Sequence, residues 1–220
     1  AIIGSTGSGK STLLHLIPRY FDATEGQITI DGTNIKDISL GKLRDMLGFV
    51  PQKGVLFSGT IASNIKFGDE NISDEDMYKA AEIAQALEFI EGKEDKFDSE
   101  ISQGGSNVSG GQKQRLSIAR ALAKKPKILL FDDSFSALDY KTDVKLRKTL
   151  REKMQDTTTI IVAQRIATIL NADKIIVMNE GKVVGIGKHQ ELLKTCPTYL
   201  EIAESQLSEE ELAKGGKHNE

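Results

Sequence analysis

Cysteine, histidine and long apolar runs are all scarce in this 220-residue chain. Its single cysteine, Cys196, excludes an internal disulfide framework and fits a reducing compartment. The three histidines, His15, His189 and His218, are scattered, which argues against a histidine-built metal cluster. His189 lies at a helix start in "GKHQELL", where a solvated or capping role is expected. No apolar run approaches the roughly 20 residues needed to span a bilayer. No signal peptide opens the chain, so it is expected to be soluble as written. A formal net charge of −3 leaves no electrostatic footprint for nucleic acid, and no nucleic-acid partner is expected. Internal repeats, heptads and low-complexity segments are missing too, which argues against a repeat array or a long coiled coil.

What is present is an ordinary globular composition, 39% hydrophobic and 28% charged, in a length that can bury one sizeable core with two lobes. Alternating strand and helix signals predict an α/β fold on a mainly parallel sheet. The chain opens on "AII", directly before a glycine-rich loop, which predicts a strand cut short and a longer parent chain. A helix follows to about Ile17, stopped by Pro18. Short strands are predicted at "GQITIDG" and "LGFVPQ". From about Thr60 to Lys124 the pattern is mostly helical, including "SDEDMYKAAEIAQAL", where Ser73 and Asp76 resemble a helix start. Strands resume at 127–132, 158–163 and 173–179, and "GKVVGIGKH" reads as a hairpin. The expected organisation is a core with an inserted helical lobe at about 60–124, and a polar tail at 207–220 with at most a short helix before disorder.

The stretch "GSTGSGKST" supplies Gly4, Ser5, Thr6, Gly7, Ser8, Gly9, Lys10, Ser11 and Thr12, and fits G-x-x-x-x-G-K-[ST]. Its glycines let successive N–H groups turn inward, and the following helix presents its positive end to the same spot. The motif places Lys10 at the β and γ phosphates of a nucleotide and the Ser11 hydroxyl on Mg²⁺. In that context "ILLFDD" at 128–133 is a buried strand ending on paired acids. Asp132 is the expected Mg²⁺-side carboxylate. Asp133, one residue on, stands where a water-activating base could.

A second anion-type site is predicted at "NVSGGQKQRLSIARALAKKPK". Ser109, Gly110 and Gly111 lead into an amphipathic helix with Leu116, Ala119 and Leu122 or Ala123 on one stripe, closed by Lys124, Lys125 and Pro126. Its exposed N-terminal N–H groups and serine hydroxyl suit phosphate oxygens. One nucleotide needs only one loop, yet the chain carries two such sites.

Taken in order, "GSTGSGKST", "VPQKGVLFSGTIASNI", "VSGGQ", "ILLFDD", "SALD" and "IIVAQR" resemble the nucleotide-binding domain of ATP-binding cassette (ABC) transporters over about residues 1–205. The resemblance implies that two such domains pair head to tail. Each ATP is then held between the phosphate loop of one and the Ser109–Gln112 signature of the other. It further implies that Gln52 reaches Mg²⁺ and the attacking water, that its loop touches transmembrane domains, and that Asp139 of "SALD" lies at the dimer interface. "LFSGTIASNI" looks like the exporter branch, which implies a place at the cytoplasmic face of the cell membrane.

Three positions depart from the family pattern. Asp133 stands where glutamate is usual, Gln164 where histidine is usual, and Val108 where leucine usually begins the signature. Aspartate is one methylene shorter than glutamate, a displacement of about 1 Å that can cost roughly 100-fold in rate. Gln164 can donate a hydrogen bond to phosphate but cannot become cationic. The pattern resembles the degenerate half of a heterodimeric multidrug-type exporter, whose own site binds ATP and hydrolyses it slowly. The alternative expectation is an essentially non-hydrolytic, ATP-holding regulatory module.

Overall fold

The computed structural model describes residues 1–208 and Leu212. The expectation of a short helix followed by disorder at the end of the chain falls almost wholly outside these residues. In chain order the elements are β1 (Ile2–Gly4), α1 (Lys10–Leu16), β2 (Thr29–Ile30), β3 (Thr33–Asn34), α2 (Leu40–Asp45), β4 (Leu47–Val50) and β5 (Gly59–Thr60). There follow α3 (Ile61–Ile65), α4 (Asp74–Ile83), α5 (Leu87–Glu91), β6 (Glu100–Ile101), α6 (Gly110–Ala123), β7 (Ile128–Asp132) and α7 (Tyr140–Lys153). The remainder is β8 (Thr158–Val162), α8 (Ile166–Ile169), β9 (Ile175–Asn179), β10 (Lys182–Gly187), α9 (His189–Thr195) and α10 (Pro197–Glu204). The chain divides into two compact units, residues 1–35 with 160–220, and residues 36–159.

In the first unit β1 runs parallel to both β8 and β9, with Ile2 opposite Val162 and Ile3 opposite Val177. Residues 175–178 of β9, Ile-Ile-Val-Met, are a continuous apolar run, as expected of a strand covered on both faces. β10 returns antiparallel to β9 through Glu180 and Gly181, both at positive φ, so "GKVVGIGKH" forms the second arm of that hairpin. β2 and β3 pair antiparallel across Asp31 (φ 49°) and Gly32 (φ 79°), as Asp-Gly hairpin chemistry predicts. Ile3, Ile166, Ile169, Val177, Tyr199 and Leu207 are among the buried residues of this unit's core.

His189 is a correction. It is the first residue of α9, as expected, but it is only 4% exposed, and its Nδ1 lies 2.7 Å from the Tyr199 hydroxyl. Burial pushes Tyr199 well above the ordinary phenol range, so the hydroxyl keeps its proton and can donate to the ring. The helix of α10 brings Tyr199 to this spot, and nothing local to "GKHQELL" announces it.

In the second unit β4 and β7 pair in parallel, Leu47 opposite Ile128 and Val50 opposite Phe131. Helix α6 packs against α3, α4 and β4, and β5 with β6 adds a two-stranded antiparallel pair. Ser73 caps α4, its hydroxyl accepting from Asp76 N at 3.1 Å. The predicted helix "SDEDMYKAAEIAQAL" is shorter than its pattern because Gln85 turns left-handed at φ 57°. Its side-chain amide then donates back to Glu82 O at 3.2 Å, stopping α4 at Ile83. The chain is thus α/β with a mainly parallel sheet, small antiparallel pairs and packed helices.

Candidate functional site

The phosphate loop links β1 to α1 within the first unit. Gly4 sits where a Cβ would lie 2.1 Å from Met178 O on the neighbouring strand, so no larger residue fits. Gly9, the N-cap of α1, holds φ 93°, which L side chains rarely adopt. Between them Ser5, Thr6 and Gly7 are exposed and Ser8 is buried. Lys10 folds back under this arch and is 7% exposed, its Nζ donating to Gly4 O at 2.9 Å and Ser5 O at 2.7 Å. The ammonium is therefore held by the loop that it would serve. Ser11 and Thr12 follow in the first turn of α1, Ser11 half-buried and Thr12 exposed.

Gln164 also belongs to the first unit, exposed between β8 and α8. Its carbonyl accepts from Gln206 Nε2 at 2.8 Å, while Gln206 Oε1 accepts from Ile166 N at 2.8 Å.

The second unit carries the remaining candidates. Asp132 closes β7 at 6% exposure, and Asp133 follows at 8% with φ 48°. Gln52, in the exposed loop after β4, donates through Nε2 to Asp133 Oδ2 at 3.2 Å, so residues 81 apart in sequence meet. That loop is anchored from two sides. The buried Ser134 hydroxyl donates to Val50 O at 2.8 Å. Gln114, 1% exposed on α6, accepts from Gly54 N at 2.9 Å and donates to Pro51 O at 3.1 Å. Gly54 lies so near α6 that a Cβ would stand 2.6 Å from Ser117 Oγ. Ser134, Gln114 and Gln206 were not singled out from sequence. Their partners are distant in the chain, and glutamine or serine on a helix or turn carries no periodic signal.

The N-terminus of α6 is built as the sequence predicts, with one refinement. Ser109 is the N-cap, its hydroxyl accepting from Gln112 N at 3.2 Å, and Gln112 Oε1 accepts in return from Ser109 N at 3.0 Å. This capping box uses the Ser109 and Gln112 N–H groups. Gly110 and Gly111, at the first two helical positions, have N–H groups with no partner inside the helix by construction. A Cβ on Gly110 would meet nothing within 4 Å, and its conformation is helical, so neither packing nor strain within this chain calls for glycine there. Arg115, one turn on, donates to Gln85 O at 2.7 Å and lies 4.8 Å from the Phe89 ring. Burial lowers its pKa, an effect opposed by Asp139 and Glu88.

Asp139 caps α7, its carboxylate accepting from Thr142 N at 2.9 Å, and hydrogen bonds from Thr142 hold it below the ordinary carboxylate range. An exposed aromatic pair, Phe57 and Phe67, stacks at 4.3 Å beside Arg120. Burial pushes the Arg120 guanidinium down to about 10. Bonds of 2.8 Å to Asn64 O, Asn64 Oδ1 and Val55 O favour its charged form.

Taken one by one, the Ser11 hydroxyl in the first unit and the Asp132 carboxylate and Gln52 amide carbonyl in the second are oxygen donors. These hard oxygen donors fit Mg²⁺ rather than a soft metal. Among the described residues no group of three or more His, Cys, Asp or Glu could hold a metal ion.

Comparison with known proteins shows the family. Residues 1–136 match the ABC transporter family model. An uncharacterised ABC transporter ATP-binding protein of Mycobacterium bovis is 46% identical over 209 residues, 94% of this chain and 36% of its own length. An ATP-dependent lipid A-core flippase of Desulfotalea psychrophila is 46% identical over 88% of this chain and 34% of its own length. A putative multidrug export ATP-binding/permease protein of Staphylococcus aureus is 46% identical over 90% of this chain and 34% of its own. Among solved structures, a bacterial Atm1-family ABC exporter with ATP bound superposes with a TM-score of 0.90 at 40% identity, covering 94% of this chain and 37% of that one. The chain thus spans about a third of the length of the relatives it matches.

Proposed function

Because this chain belongs to the ABC transporter family, we propose that it is the ATP-binding domain of an exporter, hydrolysing its own ATP slowly and completing a faster site in a partner domain. The domain is residues 1–206, with the helical lobe at about 60–124 and the tail at 207–220. It acts at the cytoplasmic face of the cell membrane, paired with transmembrane domains and a second nucleotide-binding domain. The named relatives support the exporter assignment: one is a lipid A-core flippase, another a putative multidrug export protein.

ATP binding rests on the phosphate loop from Gly4 to Thr12, with Lys10 as the β and γ phosphate contact. Ser11, Gln52 and Asp132 hold Mg²⁺, which neutralises charge on the phosphates when bound. Asp133 is the group that would take a proton from the attacking water, and Gln164 contacts the γ phosphate. The observation that carries the slow-site reading is the Gln52–Asp133 bond at 3.2 Å. One oxygen of an already short acid is occupied by the residue that would help position the water. Gly110 supports the head-to-tail pairing. Its missing side chain answers no need within this chain, and a phosphate approaching the α6 N-terminus would need that space. Asp139 contributes to the same interface.

Phosphate release from the chain alone, compared with the chain mixed with a partner domain that carries glutamate and histidine at the matching positions, tests this. Slow turnover alone and stimulation of at least about tenfold on mixing is the expected result. Vigorous turnover alone would overturn the slow-site reading. ATP binding with no stimulation by any such partner would instead favour the ATP-holding module, which the Asp133 and Gln164 departures also suit.

A further inference from the structure

Helix α8 begins without a cap of its own. Arg165 occupies the N-cap position, in extended conformation, and makes no side-chain capping bond. The first N–H of a helix has no intrahelical partner and must find one elsewhere. Here the partner comes from 40 residues downstream: Gln206, in the turn after α10, accepts from Ile166 N at 2.8 Å. The other end of the same amide donates to Gln164 O at 2.8 Å. One planar side chain thus bonds the backbone on both sides of Arg165. The orientation is unambiguous, because a flipped amide would set N–H against N–H and oxygen against oxygen.

We infer that Gln206 is a positioning residue for Gln164: it fixes the backbone from which the γ-phosphate contact projects. The surroundings favour such a role over a casual surface bond. Leu207, the next residue, is buried in the same core as Ile166, Ile169 and Tyr199, so the end of α10 is anchored where Gln206 reaches out. Leu207 N bonds to Ala203 O at 2.8 Å and Gln206 N bonds to the same carbonyl at 3.0 Å, closing the helix end into a rigid turn. On the other side, Ala163 N bonds to Ile2 O at 3.0 Å, so the strand entering the segment is pinned as well. Gln164 lies between two fixed points, and the second of them is Gln206. A backbone displacement of about 1 Å at such a contact is enough to change rate by roughly 100-fold.

The inference rests on the γ-phosphate role proposed for Gln164, and two measurements separate the failure of either. The first is hydrogen exchange at the Ile166 amide of the 220-residue chain. Gln206→Ala removes both bonds and should speed exchange by roughly threefold to tenfold, given the net strength of one such bond. Gln206→Glu keeps an acceptor and loses the donor, so exchange at Ile166 should stay near wild type. The second measurement is kcat and ATP KM, taken in whichever turns over faster, wild type or the Asp133→Glu, Gln164→His variant. Gln206→Ala should lower kcat by at least about tenfold with KM within about twofold, and Gln206→Glu should do the same, because it too frees the Gln164 carbonyl. Unchanged exchange in Gln206→Ala would overturn the inference by itself, whereas faster exchange with a kcat equal to that of its parent would overturn the γ-phosphate role proposed for Gln164 and the inference with it. A fast wild type would sink the slow-site reading alone and leave the clamp measurable.

Discussion

Asp133→Glu is the sharpest perturbation of the proposed site. Asp133 sits in a left-handed conformation at φ 48°, 8% exposed, with Gln52 Nε2 at 3.2 Å from one carboxylate oxygen. Glutamate would carry the carboxylate one carbon–carbon bond, about 1.5 Å, further from the backbone. A change of that size in the placement of a reacting group corresponds to about 100-fold in rate, or about 2.7 kcal/mol of barrier at about 1.36 kcal/mol per tenfold. The longer side chain tolerates the left-handed conformation less well, at a cost of about 1 kcal/mol. For a domain of this size that is a fall of about 2–4 °C in Tm. Turnover should therefore rise by about tenfold to 100-fold while the protein becomes slightly less stable. Gln164, which cannot become cationic, keeps the gain below the full amount. The assay is steady-state phosphate release with ATP affinity measured separately, so that the change can be assigned to kcat. A rate within about threefold of wild type, with ATP still bound, would refute the geometric reasoning.

Gly110→Ala should leave the isolated chain as stable as wild type or slightly more so, since its Cβ meets open space and alanine favours a helix. In the assembled transporter the same change should lower turnover at least about tenfold, and a normal rate there would count against the head-to-tail site. Gln114→Leu strands the Gly54 N–H and the Pro51 carbonyl. A loss of about 2–3 kcal/mol is expected, visible as a drop of roughly 4–12 °C in thermal melts; an unchanged Tm would mean that the Gln52 loop is held by other means. Asp139 is held below the ordinary carboxylate range by hydrogen bonds from Thr142. Its contribution is present above the unfolded-state pKa and is lost as pH falls through the lower folded-state value. Asp139→Asn, which still caps, should flatten the acid side of a stability–pH profile, and an unaltered acid limb would contradict that assignment.

Much of the site was legible because its chemistry is local. Gly4 and Gly9 answer the crowding and the positive φ of one short loop, and Ser73 and Ser109 cap helices that begin at the next residue. The strands at 128–132 and 175–179 follow from apolar runs that a covered parallel strand can bury, and the one at 158–162 from a β-branched stretch, Thr-Thr-Ile-Ile-Val, whose threonines stay exposed. The helix after Ser73 ended early because Gln85 adopts a left-handed turn, which residue type alone does not announce.

The bonds that fix Gln52, Gln164 and His189 were not legible. Gln114 reaches Pro51 across 63 residues, Gln206 reaches Ile166 across 40, and Tyr199 comes to His189 from another helix. Each is a polar contact made once, between elements whose approach is set by apolar packing elsewhere, so it leaves no period or spacing in the chain. Local chemistry along the chain was enough to locate a glycine-rich phosphate-type loop, a capped signature helix and a strand ending in two acids. Which side chains hold the loops between them emerges from the packed fold alone, because it depends on which surfaces the core brings within about 3 Å of one another.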